Sequence, residues 1–580
     1  IYNHLKLRKL LNSKYNINWR GSSDTETFLE IFNYYEFEKV HELLEGMFSY
    51  VLFDNLKKEI LIARDQTGEK PLYILTMQNM IAFSSEIKSF KKLELFNKEK
   101  KISKNALNNF FKYNYIPFPE TIFENTFKLP PGSFMKIKLN DFKLEKYVDF
   151  NTLISSNGVK YIEWWDSLHN IYSNKKIHKN IVNTTEQIIE QSVCKQTISD
   201  VSFGAYLSGG IDSSIVVSLL KKNYENVQTY TIGYEDQNYD ESKHANKIAN
   251  YLNTSHNCFH FNQKNLIDII PNLPQAFSEP FADSSQIPTM LISSIASKHT
   301  KVILTGDGGD EVFGGYNRYL LAIKYWQLYK TFILPFRNSL FNSKNKTVLN
   351  IFKLFYFFSN FKKKFDFNLP KLNSIIDKIP NIKDEESFYL NMVDQWYADT
   401  PLISQSSLNK NSIIKNNINK IFNKKNINLI EKMMLCDFKT YLSDDILCKV
   451  DRSSMFYGLE TRAPLLDKNV ILHANELPLS EKINKSNTKI ILRKILKKHI
   501  PEELFERPKK GFAVPIKDWI KQDLKDWSTD LLSKEMCDKH SLFDMKKVNK
   551  VKNDHFNNIQ NNEHKLWSVL QFNQWYDFNF

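Results

Sequence analysis

Hydrophobic positions change their spacing twice along this chain. Near the start, Met47–Phe53 and Glu59–Ala63 are short apolar runs separated by Asp54-Asn55, and Pro71–Thr76 and Met80–Ser84 flank a second turn. Runs of that length broken by turn residues predict a series of hairpins, preceded by one opening helix. Leu129-Pro130-Pro131-Gly132 marks a further turn before a strand at Phe134–Leu139. From Asn140 to Asn180 no period is visible, and that stretch reads as a connection. From about Asn183, apolar runs at Ser202–Leu207, Val227–Ile232 and Lys301–Thr305 alternate with helical patterns. Strand, loop and helix in alternation predict a parallel sheet with crossover helices. Beyond Tyr316 the pattern is mostly helical, with amphipathic stretches at Tyr319–Tyr329, Leu429–Leu442 and Thr488–His499.

Length and composition narrow the class. The chain has 580 residues, 42% apolar and 25% charged, which is the composition of a globular protein of several domains. The aromatic run Ile351–Phe365 comes nearest to a membrane span, but it carries Lys353 and Lys362 to Lys364, so an amphipathic or buried helix is expected there and no membrane partner. A net charge of +14 is spread over Lys- and Asn-rich stretches such as Asn409–Asn426 rather than clustered with aromatics, so no nucleic-acid partner is expected. The five cysteines form no CxxC pair, which fits a reducing, cytoplasmic setting. His256, Cys258 and His260 alternate and share one strand face, but with no fourth ligand nearby they read as part of a sheet.

Glycine is scarce, at 16 residues, yet Gly204, Gly209 and Gly210 fall in or beside one loop and Gly306, Gly308, Gly309, Gly314 and Gly315 in another. Each cluster follows a predicted strand. Tight turns are one reading; close approach of backbone to a ligand at the carboxyl edge of a parallel sheet is the other. In Ser208-Gly209-Gly210-Ile211-Asp212-Ser213-Ser214, free N–H groups at a helix start suit an anion, and the serine hydroxyls suit phosphate oxygens. Asp212 would face a phosphate only with a cation such as Mg²⁺ between them. No GxxxxGK[ST] occurs, and Gly306-Asp307-Gly308-Gly309-Asp310-Glu311 has Glu where a dinucleotide fingerprint has Gly. Its three acids read as a second magnesium and substrate site.

These motifs carry a resemblance. SGGIDSS is similar to the pyrophosphate-binding loop of the ATP pyrophosphatase superfamily. With TIGYEDQNYDES at Thr231–Ser242, EPFADSS at Glu279–Ser285, TGDGGDEVFGGYNRY at Thr305–Tyr319, YLSDDILCKVDRSSM at Tyr441–Met455, LETRAPLLD at Leu459–Asp467, Lys489–Arg493 and Arg507–Phe512, the chain resembles the glutamine-hydrolysing asparagine synthetases. SSDTE at Ser22–Glu26, ARDQTGEKPLY at Ala63–Tyr73, FSSEIK at Phe83–Lys88 and KLPPG at Lys128–Gly132 extend the likeness to the amino-terminal part. The resemblance implies an α/β protein. An amino-terminal α+β Ntn-type layered glutamine amidotransferase domain, lacking its start, would span residues 1–145. A connection at 146–182 would lead to a doubly wound parallel α/β domain with a helical carboxy-terminal part at 183–580.

It also implies an activity: a carboxylate, aspartate in the named family, is adenylated by ATP with Mg²⁺ and then amidated by ammonia freed from glutamine, giving AMP and pyrophosphate. Matching motifs assign Tyr206, Leu207, Ser208, Gly209, Gly210, Asp212, Ser213, Ser214, Ile232, Thr305 and Gly306 to ATP. Asp212 and Asp310 are assigned to magnesium, Asp307 to the amino acid, Lys489 to phosphate charge in the transition state and Asp24 to the glutamine amino group. The Lys449–Arg452 segment is expected to line the acceptor pocket, with Asp283 near it. The family's nucleophile is an amino-terminal cysteine; none of the five lies before Cys194, and the chain opens at Ile1-Tyr2-Asn3, within the family's glutaminase domain. An incomplete record of a longer protein is therefore expected, with a natural ammonia-dependent form as the other option. Expected partners are aspartate, glutamine or ammonia, and ATP, with a homodimer left open. A relative that amidates another carboxylate, such as a sugar acid, and a non-catalytic relative are the rival readings.

Overall fold

The computed structural model describes residues 1–165, 180–235, 240–334, 381–396, 400–403, 413–507 and 514–580. The run Ile351–Phe365, residues 236–239 and the Arg507–Phe512 motif beyond Arg507 lie outside them. Helices His4–Asn12 and Asp24–Tyr34 open the chain, the second capped by Ser23, whose hydroxyl accepts from Thr25 N. Seven strands follow: β1 (Ser49–Asp54), β2 (Glu59–Arg64), β3 (Tyr73–Met77), β4 (Met80–Ser84), β5 (Thr126–Lys128), β6 (Ser133–Lys138) and β7 (Val159–Glu163). They make two antiparallel sheets, ordered β1-β2-β6-β7 and β4-β3-β5. Ile62, Met135 and Ile137 of the first face Ile74 and Phe127 of the second in one core, the packing of two sheets face to face.

The stretch expected as a connection is partly regular. Phe150–Ile154 is a short helix, and β7 pairs with β6 from Ser133↔Glu163 to Ile137↔Val159, closing the edge of the first sheet. A five-residue edge strand with partly exposed side chains carries little periodicity of its own. Its register comes from β6.

The second half holds β8 (Phe203–Tyr206), β9 (Gln228–Tyr234), β10 (Ser255–Phe261), β11 (Val302–Leu304) and β12 (Glu460–Arg462), all parallel, in the order β10-β9-β8-β11-β12. Winding runs outward from β8 to β10 on one side and from β11 to β12 on the other. The direction reverses between the neighbours β8 and β11, where doubly wound sheets bind ligands. Helices Ile181–Lys195, Ile211–Asn223 and Ile490–Leu496 pack a shared core through Ile189, Val216, Leu219, Ile491 and Ile495. Gln286–Ala296 is buried almost all round, between the sheet and helix Cys448–Met455.

The amphipathic stretch Leu429–Leu442 is not one α-helix. Leu429–Cys436 is α-helical, and an 11-residue π-helical segment, Asp437–Leu447, continues it into Cys448–Met455. Buried Asp437 anchors the junction: it accepts from Arg318 Nε at 2.9 Å and from the hydroxyls of Tyr319 and Tyr389 at 2.5 and 2.7 Å.

The two halves share charged and apolar contacts. Lys70 pairs with Asp451 at 3.1 Å, Lys128 with Glu279 at 2.5 Å, and Arg452 Nη2 donates to Ser85 O at 2.7 Å. The last helix, Glu563–Asn579, buries Leu566, Trp567, Leu570, Phe572 and Trp575 in a core that also contains Phe110, Phe111 and Phe123. Each such side chain contributes about 1.5–3 kcal/mol of burial. Among the described residues no helix is long and apolar enough to cross a membrane.

Candidate active site

The chain leaves β8 through Leu207, Ser208, Gly209 and Gly210 and enters helix Ile211–Asn223 with Gly210 at its N-cap. Gly210 brings no side-chain cap, so the first-turn N–H groups remain available to an anion. Two hydroxyls shape the loop: Ser208 Oγ and Ser213 Oγ are 3.1 Å apart, Ser208 N donates to Ser213 Oγ at 3.2 Å, and Gly210 N donates to Ser208 Oγ at 3.3 Å. Arg507 Nη2 donates to Ser208 O at 3.2 Å from outside the loop while its Nη1 pairs with Glu241 at 2.8 Å.

The loop after β11 lies beside it. Lys489 joins the two: its ammonium lies 2.7 Å from Asp310 Oδ1 and also bonds Asp212 Oδ2. Lys489 is 4% exposed and adopts φ 54° as the N-cap of Ile490–Leu496, so the predicted helix Thr488–His499 begins one residue after it. That left-handed backbone breaks the helix and releases the lysine from a helical face. Burial works against the charge of Lys489, but Asp212 and Asp310 outweigh it and hold its pKa above the ordinary value. Close approach also accounts for two glycines. A Cβ on Gly309 would lie 2.4 Å from Asp212 Oδ1, and one on Gly315 would lie 1.9 Å from Asp310 Oδ1.

A cavity of about 300 Å³ opens over these strand ends. Of the residues expected at ATP, Tyr206, Leu207, Ser208, Gly210, Asp212, Ser213, Ile232, Thr305 and Gly306 line it, together with Asp307 and Asp310. Gly209 stands behind the lining at φ 75° against Ala245 N. Ser214 is fully buried, one helical step and about 100° round from Ser213. Lys489 supports the cavity from behind through the two acids.

Other lining residues had a weaker signal in the sequence. Glu311 accepts from Tyr316 Oη at 2.5 Å, and burial with the charge of Asp310 raises its pKa to about 7. Lys449 Nζ lies 2.7 Å from Asp283 Oδ2 and 2.8 Å from Ser285 Oγ. Burial alone would raise the Asp283 pKa, but Lys449 dominates and holds it well below the usual carboxylate range. Asp307 is pushed up by burial. The fold divides the segment Lys449–Arg452, which the resemblance places at the acceptor pocket as a whole: Lys449 and Val450 line the cavity, and Asp451 and Arg452 face the first half of the chain.

The donor set suits magnesium. Asp212 and Asp310 converge on one cation, Lys489, and so present hard oxygens to one point. Mg²⁺ commonly takes one or two carboxylates and completes its shell with phosphates and water. Among the described residues no group of three or more His, Cys, Asp or Glu side chains could hold a metal.

Asp24 belongs to the other half of the chain. It opens helix Asp24–Tyr34.

Comparison with known proteins agrees with this layout. Residues 184–577 match the asparagine synthase family and residues 1–148 the glutamine amidotransferase domain family. The chain is 29% identical over 579 residues to asparagine synthetase [glutamine-hydrolyzing] 1 of Bacillus subtilis, covering 100% of this chain and 84% of that protein. It is 26% identical over 595 residues to a putative asparagine synthetase [glutamine-hydrolyzing] of Mycobacterium tuberculosis, covering 99% and 83%. A putative asparagine synthetase [glutamine-hydrolyzing] 2 of Methanocaldococcus jannaschii is 29% identical over 477 residues, covering 78% and 80%. With a match that spans the parallel sheet, both glycine loops and Lys489, the chain belongs to the asparagine synthase family.

Proposed function

We propose that this chain converts aspartate to asparagine at the expense of ATP, through a β-aspartyl adenylate. One observation carries the reading: the loops after β8 and β11 meet over a single cavity, tied together by Lys489 through Asp212 and Asp310. The β-carboxylate oxygen attacks the α-phosphorus, the bond from that phosphorus to the bridging oxygen breaks, and pyrophosphate leaves. The N–H groups at the start of helix Ile211–Asn223 and the hydroxyls of Ser208 and Ser213 receive the departing charge. Held by Asp212 and Asp310, Mg²⁺ would supply further charge neutralisation on the polyphosphate. Lys489 adds a permanent positive charge behind both acids. Ammonia then attacks the acyl carbon, the bond to AMP breaks, and the nitrogen loses a proton. Tyr206 and Ile232 border the nucleoside, and Asp307 faces the amino acid. Asp24 serves the supply of ammonia from glutamine in the first half.

The test is to incubate the protein with ATP, Mg²⁺, aspartate and ammonium and to separate the nucleotides and amino acids. AMP, pyrophosphate and asparagine in equal amounts are expected. ADP as the main product would sink the adenylate route, and amide formation on uronic acids in preference to aspartate would replace the acceptor.

A further inference from the structure

Two residues beside the cavity have left-handed backbones: Gly209 in the loop after β8, at φ 75°, and Lys489 at the N-cap of Ile490–Leu496, at φ 54°. Glycine adopts that conformation freely. A lysine does so under strain, and such strain persists only where neighbouring structure holds it. In each case an arginine holds the peptide just before the left-handed residue. Arg507 Nη2 donates to Ser208 O at 3.2 Å, and Arg493 Nε donates to Thr488 O at 2.8 Å. A trans peptide is planar, with its N–H pointing away from its C=O. Fixing the Ser208 carbonyl therefore fixes the direction of the Gly209 N–H. Fixing the Thr488 carbonyl fixes the plane from which Lys489 turns towards Asp212 and Asp310.

The two arginines are joined. Arg493 pairs with Glu506, the residue before Arg507. Arg507 Nη1 pairs in turn with Glu241 at 2.8 Å, at the start of helix Ser242–Leu252. Each guanidinium thus divides its fork between one backbone carbonyl and one carboxylate. Packing sets the place of this junction: Phe505 is 2% exposed and shares a core with Ala245 and Ile248 of helix Ser242–Leu252 and with Leu492 and Ile495. Neither arginine lines the cavity. The brace reaches both elements from outside, where it can set their geometry without contacting substrate.

We propose that Arg493 and Arg507 are positioning residues for adenylation. Arg507 holds the loop after β8 in the shape that presents its N–H groups, Arg493 holds the turn that carries Lys489, and Glu506 keeps the two in register. Charge that grows on the departing pyrophosphate then meets donors and a cation already in place, which is how preorganised charge lowers a barrier. This rests on the function proposed above and adds to it two residues that stand outside the cavity.

The test measures AMP formation from aspartate and ammonium against ATP concentration, in the full chain and in Arg493→Gln, Arg493→Lys, Arg507→Gln and Arg507→Lys. Lys497→Gln is the control, since Lys497 pairs with Glu502 at 2.7 Å at the far end of Ile490–Leu496 from Lys489. Arg493→Gln should lower kcat roughly 100-fold with KM for ATP within about threefold, because Lys489 answers charge that grows in the transition state and a small misplacement suffices for such a loss. Arg507→Gln should lower kcat and raise KM for ATP, each roughly tenfold, because the loop also holds the phosphates in the ground state. Each lysine variant should fall between the wild type and its glutamine counterpart, at least about fivefold below the wild type in kcat/KM, since one ammonium replaces a fork that serves two partners. Lys497→Gln should match the wild type; an equal loss there marks general loosening and overturns the proposal. Wild-type constants in a folded Arg493→Gln or Arg507→Gln overturn it too, and so do losses that vanish on assay well below the melting temperature, as a merely structural role requires. If a glutamine variant does not fold, its lysine variant decides: wild-type constants overturn the brace and an intermediate loss supports it. A wild type that forms no AMP from aspartate overturns the proposed function itself, and the brace with it, whereas an active wild type with unaffected variants overturns the brace alone.

Discussion

Lys489 and Asp310 lie 277 and 98 residues beyond Asp212 in the chain, yet the lysine ammonium stands 2.7 Å from Asp310 Oδ1 and touches Asp212 as well. The lysine thus occupies the point on which two metal-binding candidates converge. Replacing it with methionine leaves two part-buried acids facing each other. Loss of one partner from a buried ion network costs about 3–5 kcal/mol. In Lys489→Met we expect at least a 100-fold loss of activity, on the order of removing a preorganised charge, and a lower melting temperature without metal. Added Mg²⁺ should raise that melting temperature more than it raises that of the wild type, since a ligand stabilises the state that binds it. Thermal melts with and without Mg²⁺ check this; a larger shift in the wild type refutes the shared site.

Asp212→Asn and Asp310→Asn test the acids directly. Each removes one carboxylate from a set of two, and each should lower kcat/KM by about 100-fold or more while the fold is retained. The Mg²⁺ concentration for half-maximal activity should rise in both. Wild-type turnover with unchanged metal dependence in either variant would remove that residue from the site.

Gly315→Ala probes the close packing. Its new Cβ would lie 1.9 Å from Asp310 Oδ1 and 2.1 Å from Lys489 Cε. The side chains must move, at a cost of about 1–3 kcal/mol for overpacking. Activity should fall at least tenfold in a protein whose circular dichroism is native; full activity would mean that the Lys489–Asp310 contact can shift freely.

His41 sets an acid limit on stability. It is fully buried, 2.7 Å from Tyr50 Oη and stacked against Phe134 and Trp164, and burial lowers its pKa from 6.5 to about 4. The unfolded chain therefore binds the extra proton between those values and the folded chain does not. Stability from this group is present above pH 6.5 and is lost as pH falls towards 4, by about 1–3 kcal/mol. His41→Phe cannot titrate, so its deficit relative to the wild type should shrink as pH falls from 7 to 4.5. Denaturant midpoints across that range measure it; a constant deficit would mean that His41 keeps its ordinary pKa.

Much of the architecture was legible from local pattern. Short apolar runs broken by turn residues located β1 to β4 and β6, and the alternation of strand and helix patterns after Asn183 announced a parallel sheet, because apolar spacing records which face of an element is buried. The two glycine clusters located both loops of the cavity, since a backbone that must approach another group closely excludes side chains. Edge strand β7 escaped because its register is borrowed from β6. The π-helical segment Asp437–Leu447 escaped because its apolar spacing still resembles an α-helix, while the buried triad of Arg318, Tyr319 and Tyr389 on Asp437 holds the wider turn.

By itself, the sequence determined the class of each half, the loops that meet at the sheet edge and the acids within them, because these follow from short-range rules of spacing and backbone freedom. Tertiary structure alone decided that Lys489 is a buried N-cap bridging Asp212 and Asp310 and that Lys449 faces Asp283. Those relations join residues dozens to hundreds of positions apart. Only packing of the sheet, the helices and the first half of the chain brings such side chains within a few ångströms, where desolvation and charge pairing give them their chemistry.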